Sequence, residues 1–99
     1  MTARERLNQL REKFGPAIRQ ADLPGDARLF VYIEPSCVKA VCQYIFRDLD
    51  ARYVTSIGLD DRPCSGKFVV AHDFAFDRDR LLCSVLAYLP ADNPKLDSI

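Results

Sequence analysis

The sequence predicts an α+β fold, in which a mixed sheet of four to five strands ends in an antiparallel C-terminal meander and two helices pack on one face. Two segments place their apolar residues at helical spacing, and four segments are rich in β-branched and aromatic residues. The chain has 99 residues, of which 48% are hydrophobic and 28% charged, as is typical of one globular domain. We therefore expect a single domain over residues 1–99, with residues 91–99 as an extended, proline-containing tail.

The first helix is predicted over residues 3–14. Thr2 suits the N-cap, and Glu5 three residues later completes a capping box. The apolar residues of this segment lie on one stripe, at spacings of three and four: Leu7, Leu10 and Phe14. Gly15-Pro16 ends the helix, because glycine suits the position after a helix and proline cannot continue one.

Residues 17–33 are predicted to form two strands, the first from a weak sequence signal and the second from a strong one. A short edge strand is expected over residues 17–20, and residues 23–26 carry the turn signal Leu-Pro-Gly-Asp. Arg28–Ile33 is apolar at both alternating parities, which is typical of a strand inside a sheet or covered on both faces.

A second helix is predicted to start at Glu34-Pro35-Ser36, since proline suits the first helical position. The residues after it have the clearest helical period in the chain, with an apolar stripe of Val38, Val41, Cys42, Ile45, Phe46 and Leu49. We expect this stripe to cover the sheet and the polar residues between to face solvent: Lys39, Gln43, Arg47 and Asp48.

Three further strands are predicted over residues 52–60, 67–76 and 81–89, with Pro90 closing the last. The first of them is expected to place four side chains on one face: Tyr53, Thr55, Ile57 and Leu59. The second is expected to place His72 with Phe68, Val70, Phe74 and Phe76. If the strands on either side of the second helix are parallel in one sheet, the connection between them is right-handed.

The strands carry more apolar surface than two short helices can cover, so a sheet face is expected to meet another protein. The last strand is apolar at nearly every position, and the tail after it could lie along a partner. We therefore predict docking through residues 81–99, with an interface formed by Leu82, Leu86, Tyr88, Pro94, Leu96, Ser98 and Ile99.

Charge and hydropathy exclude several classes of function. Lys and Arg total 14, Asp and Glu also total 14, and basic residues alternate with acidic ones, so no nucleic-acid partner is expected. No apolar run approaches the roughly 20 residues that cross a bilayer, so no direct membrane insertion is expected. The N-terminal residues lack the pattern of a secretory signal, which favours a cytoplasmic protein.

Residues with catalytic or ligating chemistry are few and scattered. Cys37, Cys42, Cys64 and Cys83 form no short-spaced metal motif, and His72 is the single histidine. We expect no catalytic residue, no cofactor site and no metal site, and we expect the cysteines to pack as small apolar residues. An alternative stays open in which Cys64, in a polar loop, acts as a reactive thiol with His72.

Residues 30–99 resemble the respiratory-chain 30 kDa subunit family of NADH:quinone oxidoreductase, which includes a related domain in membrane-bound energy-converting [NiFe] hydrogenases. Four stretches carry the resemblance, in the family's order: the strand 29–33 with the following residues 34–42, the strand 53–60 ending in an aspartate, residues 66–74, and the end-piece 93–99 of the form Pro-x-x-x-Ser-Ile. The sequence departs from the family at Ile99, where full-length members continue into a second segment with a Glu-Arg-Glu signature.

The resemblance implies a role without catalysis or bound cofactor. Members of the family pack on the large subunit that carries the quinone pocket or the nickel–iron site, peripheral on the cytoplasmic, inner face of the cell membrane. The NADH-linked and hydrogenase-linked complexes both stay open, as does truncation at Ile99. A second interpretation is a small ferredoxin-like regulatory domain that binds a metabolite at a dimer interface, and the isolated chain could form a homo-oligomer.

Overall fold

A computed structural model describes residues 1–60 and 67–90. Its helices and strands follow one another as α1 (Ala3–Phe14), β1 (Ile18–Gly25), β2 (Arg28–Ile33), α2 (Val38–Arg47), β3 (Arg52–Asp60), β4 (Lys67–Phe76) and β5 (Leu81–Pro90). Short 3₁₀ turns precede β1, α2 and β5. The predicted α+β class is confirmed, with one mixed sheet of five strands and an antiparallel β3–β4–β5 meander.

The strands lie in the order β1-β2-β5-β4-β3, which places β5 at the centre of the sheet. β2 and β5 are parallel, and every other neighbouring pair is antiparallel. The strands on either side of α2 are therefore not neighbours, because β5 and β4 lie between β2 and β3. The connection through α2 spans the sheet rather than joining two adjacent strands.

Both helices pack on the same face of the sheet. Their buried residues share one core with alternate residues of β2, β4 and β5, and this core includes Leu7, Leu10, Leu29, Val31, Val41, Ile45, Phe74, Cys83 and Val85. The helices also meet each other, where the rings of Phe14 and Tyr44 lie edge to face at 5.5 Å. Within the described ranges, neither helix is long and apolar enough to cross a membrane.

The boundaries of α1 are those predicted from its capping residues. The Thr2 hydroxyl accepts a hydrogen bond from the backbone N–H of Glu5, and the Glu5 carboxylate accepts one from the backbone N–H of Thr2. This capping box satisfies two backbone donors that the helix leaves unpaired. Gly15 follows the helix with a φ of 42°, a left-handed conformation that glycine adopts at low cost.

β1 is longer than the predicted strand at residues 17–20, and the turn comes later than residues 23–26. Ala21 pairs with Val31 and Asp22 with Phe30, so the chain stays extended through Pro24 and turns at residues 26–27. Proline is tolerated here because β1 is an edge strand, where its missing N–H costs no hydrogen bond between strands. The prediction of the turn at residues 23–26 was wrong for this reason.

α2 buries Val38, Val41, Cys42 and Ile45 as its apolar stripe predicts, but the assignment of Phe46 to the core was wrong. The Phe46 side chain is 53% exposed. The main contacts of α2 with the sheet are to β5 and β4, and Phe46 lines a cleft with Tyr53 and Phe74 instead of entering the core.

A β-bulge in β3 corrects the predicted face of Tyr53. Tyr53 pairs with Phe74 and Thr55 with Asp73, so one extra residue, Val54, stands between two consecutive pairs. Tyr53 therefore lies on the helix side, where its ring meets Phe74 at 5.4 Å, whereas Thr55 and Ile57 lie on the opposite face. The alternation of side chains along a strand predicts that Tyr53, Thr55 and Ile57 share one face, because it assumes that the strand has no bulge.

An ionic contact ties α1 to the turn between β4 and β5. The Asp79 carboxylate accepts hydrogen bonds from Arg6 at 2.9 Å and from the amino group of Met1 at 2.8 Å, and its side chain is 7% exposed. The guanidinium of Arg6 also lies 4.3 Å from the centre of the Phe76 ring. These contacts fix the start of α1 against the sheet.

We predict that alanine substitutions at two adjacent residues of α2 destabilise the protein to very different extents. Ile45→Ala should lower the free energy of unfolding by about 2–5 kcal/mol, because Ile45 is fully buried and its loss leaves a cavity. Phe46→Ala should cost less than about 1 kcal/mol, because half of that side chain already contacts water. Urea denaturation of both variants measures the difference, and equal losses would contradict the position of α2.

We predict that Asp79→Asn lowers the free energy of unfolding by about 1–2 kcal/mol at pH 7, since it removes a charge-assisted contact with α1. The bonds from the Met1 amino group, and after them those from Arg6, hold the pKa of Asp79 below its usual value of 3.8. The contribution is therefore present above pH 3.8 and is lost as the pH falls towards the lower pKa of the folded state.

Denaturation curves between pH 7 and pH 2 should show the two proteins converging in acid. Asp77→Asn is the matched control, because the Arg52–Asp77 pair is solvent-exposed and should contribute little. A difference between wild type and Asp79→Asn that persists unchanged at pH 2 would contradict the ionic role of Asp79.

Candidate docking surface

The sheet face opposite the two helices, here the open face, is the candidate functional site. Side chains alternate along each strand, so the residues between the core positions point to this face. It comprises Arg28, Phe30, Tyr32, Thr55, Ile57, Val69, Ala71, Asp73, Ala75, Leu82, Ser84, Leu86 and Tyr88. No helix of the described part lies on it, because both helices contribute to the core on the other side. Most of these side chains are half-buried or exposed.

An apolar row crosses four strands of the open face. The strand register places Tyr32 beside Leu86, Leu86 beside Ala71 and Ala71 beside Ile57. Tyr88 adds to the row, since its ring stacks on that of Tyr32 with centroids 5.7 Å apart and planes 8° from parallel. A continuous strip of apolar and aromatic side chains on one sheet face is typical of a protein–protein contact.

A polar network interrupts the open face beside this row. The Ser84 hydroxyl donates a hydrogen bond of 2.6 Å to the Asp73 carboxylate and accepts one of 3.4 Å from the Arg28 guanidinium. The guanidinium also lies 4.7 Å from the centre of the Phe30 ring. The network holds a cation and an anion in fixed positions next to the apolar row, which would give a partner a defined orientation.

Tyr32 keeps its hydroxyl protonated at neutral pH. Burial raises the pKa of Tyr32, and the neighbouring Tyr88 and Asp22 raise it further. The Tyr32 hydroxyl is thus available as a hydrogen-bond donor or acceptor at the border of an apolar strip.

Three of the predicted interface residues lie together on the open face, at alternate positions of β5: Leu82, Leu86 and Tyr88. The other four, Pro94, Leu96, Ser98 and Ile99, lie outside the described residues. Sequence reasoning missed Arg28, Phe30 and Tyr32, which pair with the same stretch of β5. The signal was present in the apolar residues at both parities of β2, but the parallel pairing of β2 with β5 was not predicted.

The described cysteines lie mainly on the helix side of the sheet. Cys42 and Cys83 are buried, and burial raises the pKa of each thiol to about 12. Both are free, as is the half-buried Cys37. Within residues 1–60 and 67–90, no three His, Cys, Asp or Glu side chains cluster as a candidate metal site. Cys64, the thiol of the alternative with His72, lies outside the described residues.

His72 lies on the helix side of β4, as alternation predicts, between Ser56 of β3 and Val85 of β5. It is 7% exposed, and neither ring nitrogen has a hydrogen-bond partner among the described residues. Burial lowers the pKa of His72, while the nearby Asp73 carboxylate partly opposes that shift. The imidazole is therefore held neutral at pH 7.

A cleft of about 360 Å³ lies between the C-terminal half of α2 and the strands β3 and β4. It is lined by Cys42, Gln43, Phe46, Arg47, Tyr53 and Phe74. The cleft explains the exposure of Phe46 and Tyr53, which face its interior rather than the core.

No protein-family model matches the chain. Over all 99 residues the chain is 26% identical to the C subunit of the F(420)H(2) dehydrogenase of Methanosarcina mazei, and it spans 63% of the length of that protein. This similar protein is itself part of a dehydrogenase, which supports in part the resemblance carried by residues 30–99. The similarity also covers α1, β1 and the start of β2, which those motifs left out.

We predict that His72→Leu raises the free energy of unfolding by about 1 kcal/mol at pH 7.5, because it removes two buried polar atoms without partners. The gain should grow in acid. The unfolded wild type takes up a proton as the pH falls through 6.5, whereas folded His72 takes it up only at lower pH, so wild-type stability falls there.

Denaturation at pH 7.5 and pH 5.0 measures both effects. The leucine variant lacks the titrating group, so its loss of stability between the two pH values should be smaller than that of the wild type. An NMR titration of the single histidine gives the pKa directly, and a midpoint above 6.5 would contradict a buried, unpaired ring.

Proposed function

We propose that this chain is a docking subunit or domain of a membrane-associated electron-transfer complex related to NADH:quinone oxidoreductase. In this proposal it has no catalytic residue, metal or cofactor of its own, and it binds the large subunit of the complex through the open face. The observation that carries the proposal is the apolar row across β2, β5, β4 and β3, which no helix of the described part covers. The similarity of all 99 residues to a dehydrogenase subunit supports it.

The open face has the composition of a binding surface, with apolar and aromatic side chains at its centre. Removing apolar surface from water contributes roughly 25 cal/mol per Å² to the free energy of association, before the costs of binding are subtracted. Stacked aromatic rings such as Tyr32 and Tyr88 are among the side chains that contribute most at protein interfaces. The Arg28–Ser84–Asp73 network lies beside this centre and would select the orientation of the partner through its charges.

The tail is the second part of the proposed interface. Residues 91–99 follow directly on the central strand, whose side chains Leu86 and Tyr88 belong to the open face. We propose that Pro94, Leu96, Ser98 and Ile99 extend the contact with the large subunit beyond the sheet. An extended segment can supply main-chain hydrogen bonds together with apolar anchors.

The proposed position is peripheral, on the cytoplasmic side of the cell membrane, where partner subunits hold the chain. A dehydrogenase complex is favoured over a [NiFe] hydrogenase, because the similar protein is a dehydrogenase subunit. Both assignments place the chain beside a large subunit, so the docking surface is the same in either case.

We predict that Leu86→Glu weakens binding to the large subunit of the complex by at least about 10-fold, because it places a charge in the centre of the apolar row. Tyr88→Ala should weaken binding by a similar factor, since it removes the stacked partner of Tyr32. Co-purification from cells that express both proteins, followed by titration of the purified pair, measures the effect.

Lys39→Glu is the matched control, because Lys39 is an exposed residue of α2 on the other side of the sheet. Circular dichroism of each variant alone establishes that the fold is intact. If Leu86→Glu and Tyr88→Ala bind as tightly as the Lys39 variant, the open face is not the docking surface and the proposal fails.

A further inference from the structure

β3 is the strand with the least cover in the described part of the molecule. It lies at the end of the sheet, so among the described strands it has one neighbour, β4. All of its residues from Arg52 to Gly58 are exposed, and three of them are large and apolar: Tyr53 at 39%, Val54 at 44% and Ile57 at 45%. The main contacts of α2 with the sheet are to β5 and β4.

The two edges of the sheet differ in how they are protected. β1 has two irregularities in its register and carries Arg19, Asp22 and Pro24, all features that prevent another strand from pairing. In β3, residues 53–59 contain neither a charge nor a proline. After its one bulge, residues 55–59 pair with β4 in an unbroken ladder, so their outer edge is regular. A regular, uncharged edge strand is a template for strand addition.

We propose that β3 pairs antiparallel with β3 of a second copy of this chain, with Ile57 facing Ile57 of the partner across the two-fold axis. In this arrangement Thr55 faces Leu59 and Ser56 faces Gly58, so no like charges meet within the ladder. Two five-stranded sheets join into one of ten strands, and the apolar row that ends at Ile57 continues into the second copy.

Charge favours a second copy in this orientation. β3 begins at Arg52, which is already paired with Asp77 of its own chain, and ends at Asp60, so an antiparallel pair keeps the two Asp60 ends apart. A parallel pair would bring like charges together. The chain has 14 basic and 14 acidic residues, so two copies do not repel each other through a net charge.

A single strand pair of this length buries less area than the roughly 1,200–2,000 Å² of a stable interface. The expected dimer is therefore weak and reversible. Sedimentation velocity of the 99-residue chain between about 5 and 500 μM should show a monomer–dimer equilibrium. A chain that stays monomeric throughout this range overturns the proposal.

Two opposite substitutions at one position test the alignment. Ile57→Lys and Ile57→Glu each place two like charges across the axis, so each variant alone should be monomeric up to about 500 μM. An equimolar mixture should dimerise again, because lysine then faces glutamate. Failure of the mixture to associate overturns the antiparallel alignment on Ile57, and so does dimerisation of either variant alone.

Two controls locate the contact on the molecule. Gln20→Lys adds the same charge to an exposed position of the other edge strand, and Leu86→Lys adds it to the open face. Both variants should dimerise like the wild type. If Leu86→Lys abolishes the dimer and Ile57→Lys does not, the copies meet through the open face and the β3 proposal is wrong. If Leu86→Lys loses binding to the large subunit but still dimerises, docking and dimerisation use different surfaces. The two proposals can therefore fail independently of each other.

Discussion

One constraint determines the rest of the structure: two helices packed on the same side can bury only one face of a five-stranded sheet. Each strand alternates its side chains between the faces, so a sheet that supplies Leu29, Val31 and Val85 to the core must supply an equal number of residues to the other side. In this chain those alternate residues are themselves largely apolar. These residues are contiguous across four strands rather than scattered over the surface.

The same constraint accounts for the chemistry around the uncovered surface. Charged side chains there are held by partners, as in the Arg28–Ser84–Asp73 network, and the aromatic rings of Tyr32 and Tyr88 shield each other by stacking. On the helix side, the short helix α2 makes its main contacts with β5 and β4, while residues 52–58 of β3 are exposed and Phe46 lines a cleft with Tyr53. The open face and the exposed β3 edge therefore have the same cause: the two helices bury only part of the sheet.

Local signals in the sequence predicted most of the elements, because the physics that sets them is local. The capping box of Thr2 and Glu5 defines α1, and the spacing from Val38 to Ile45 defines α2. The errors arose where distant residues decide the outcome. Pairing with β2 kept Pro24 in an extended strand, a bulge against β4 turned Tyr53 to the helix side, and Phe46 lines a cleft beside Tyr53 instead of the core.

Of the candidate docking surface, only the part contributed by β5 was predictable from the sequence. Leu82, Leu86 and Tyr88 follow from the apolar pattern of that strand, whereas Arg28, Phe30 and Tyr32 join them through the parallel pairing of β2 with β5.

The pairing of β2 with β5 also affects how the chain folds during synthesis. Residues 28–32 find their sheet partner in residues 82–86, so the contact order is high, and β2 lacks its inner neighbour until β5 has left the ribosome. During synthesis the N-terminal half must therefore expose its apolar strand, and a chaperone or an early-binding partner would protect the nascent chain at that stage.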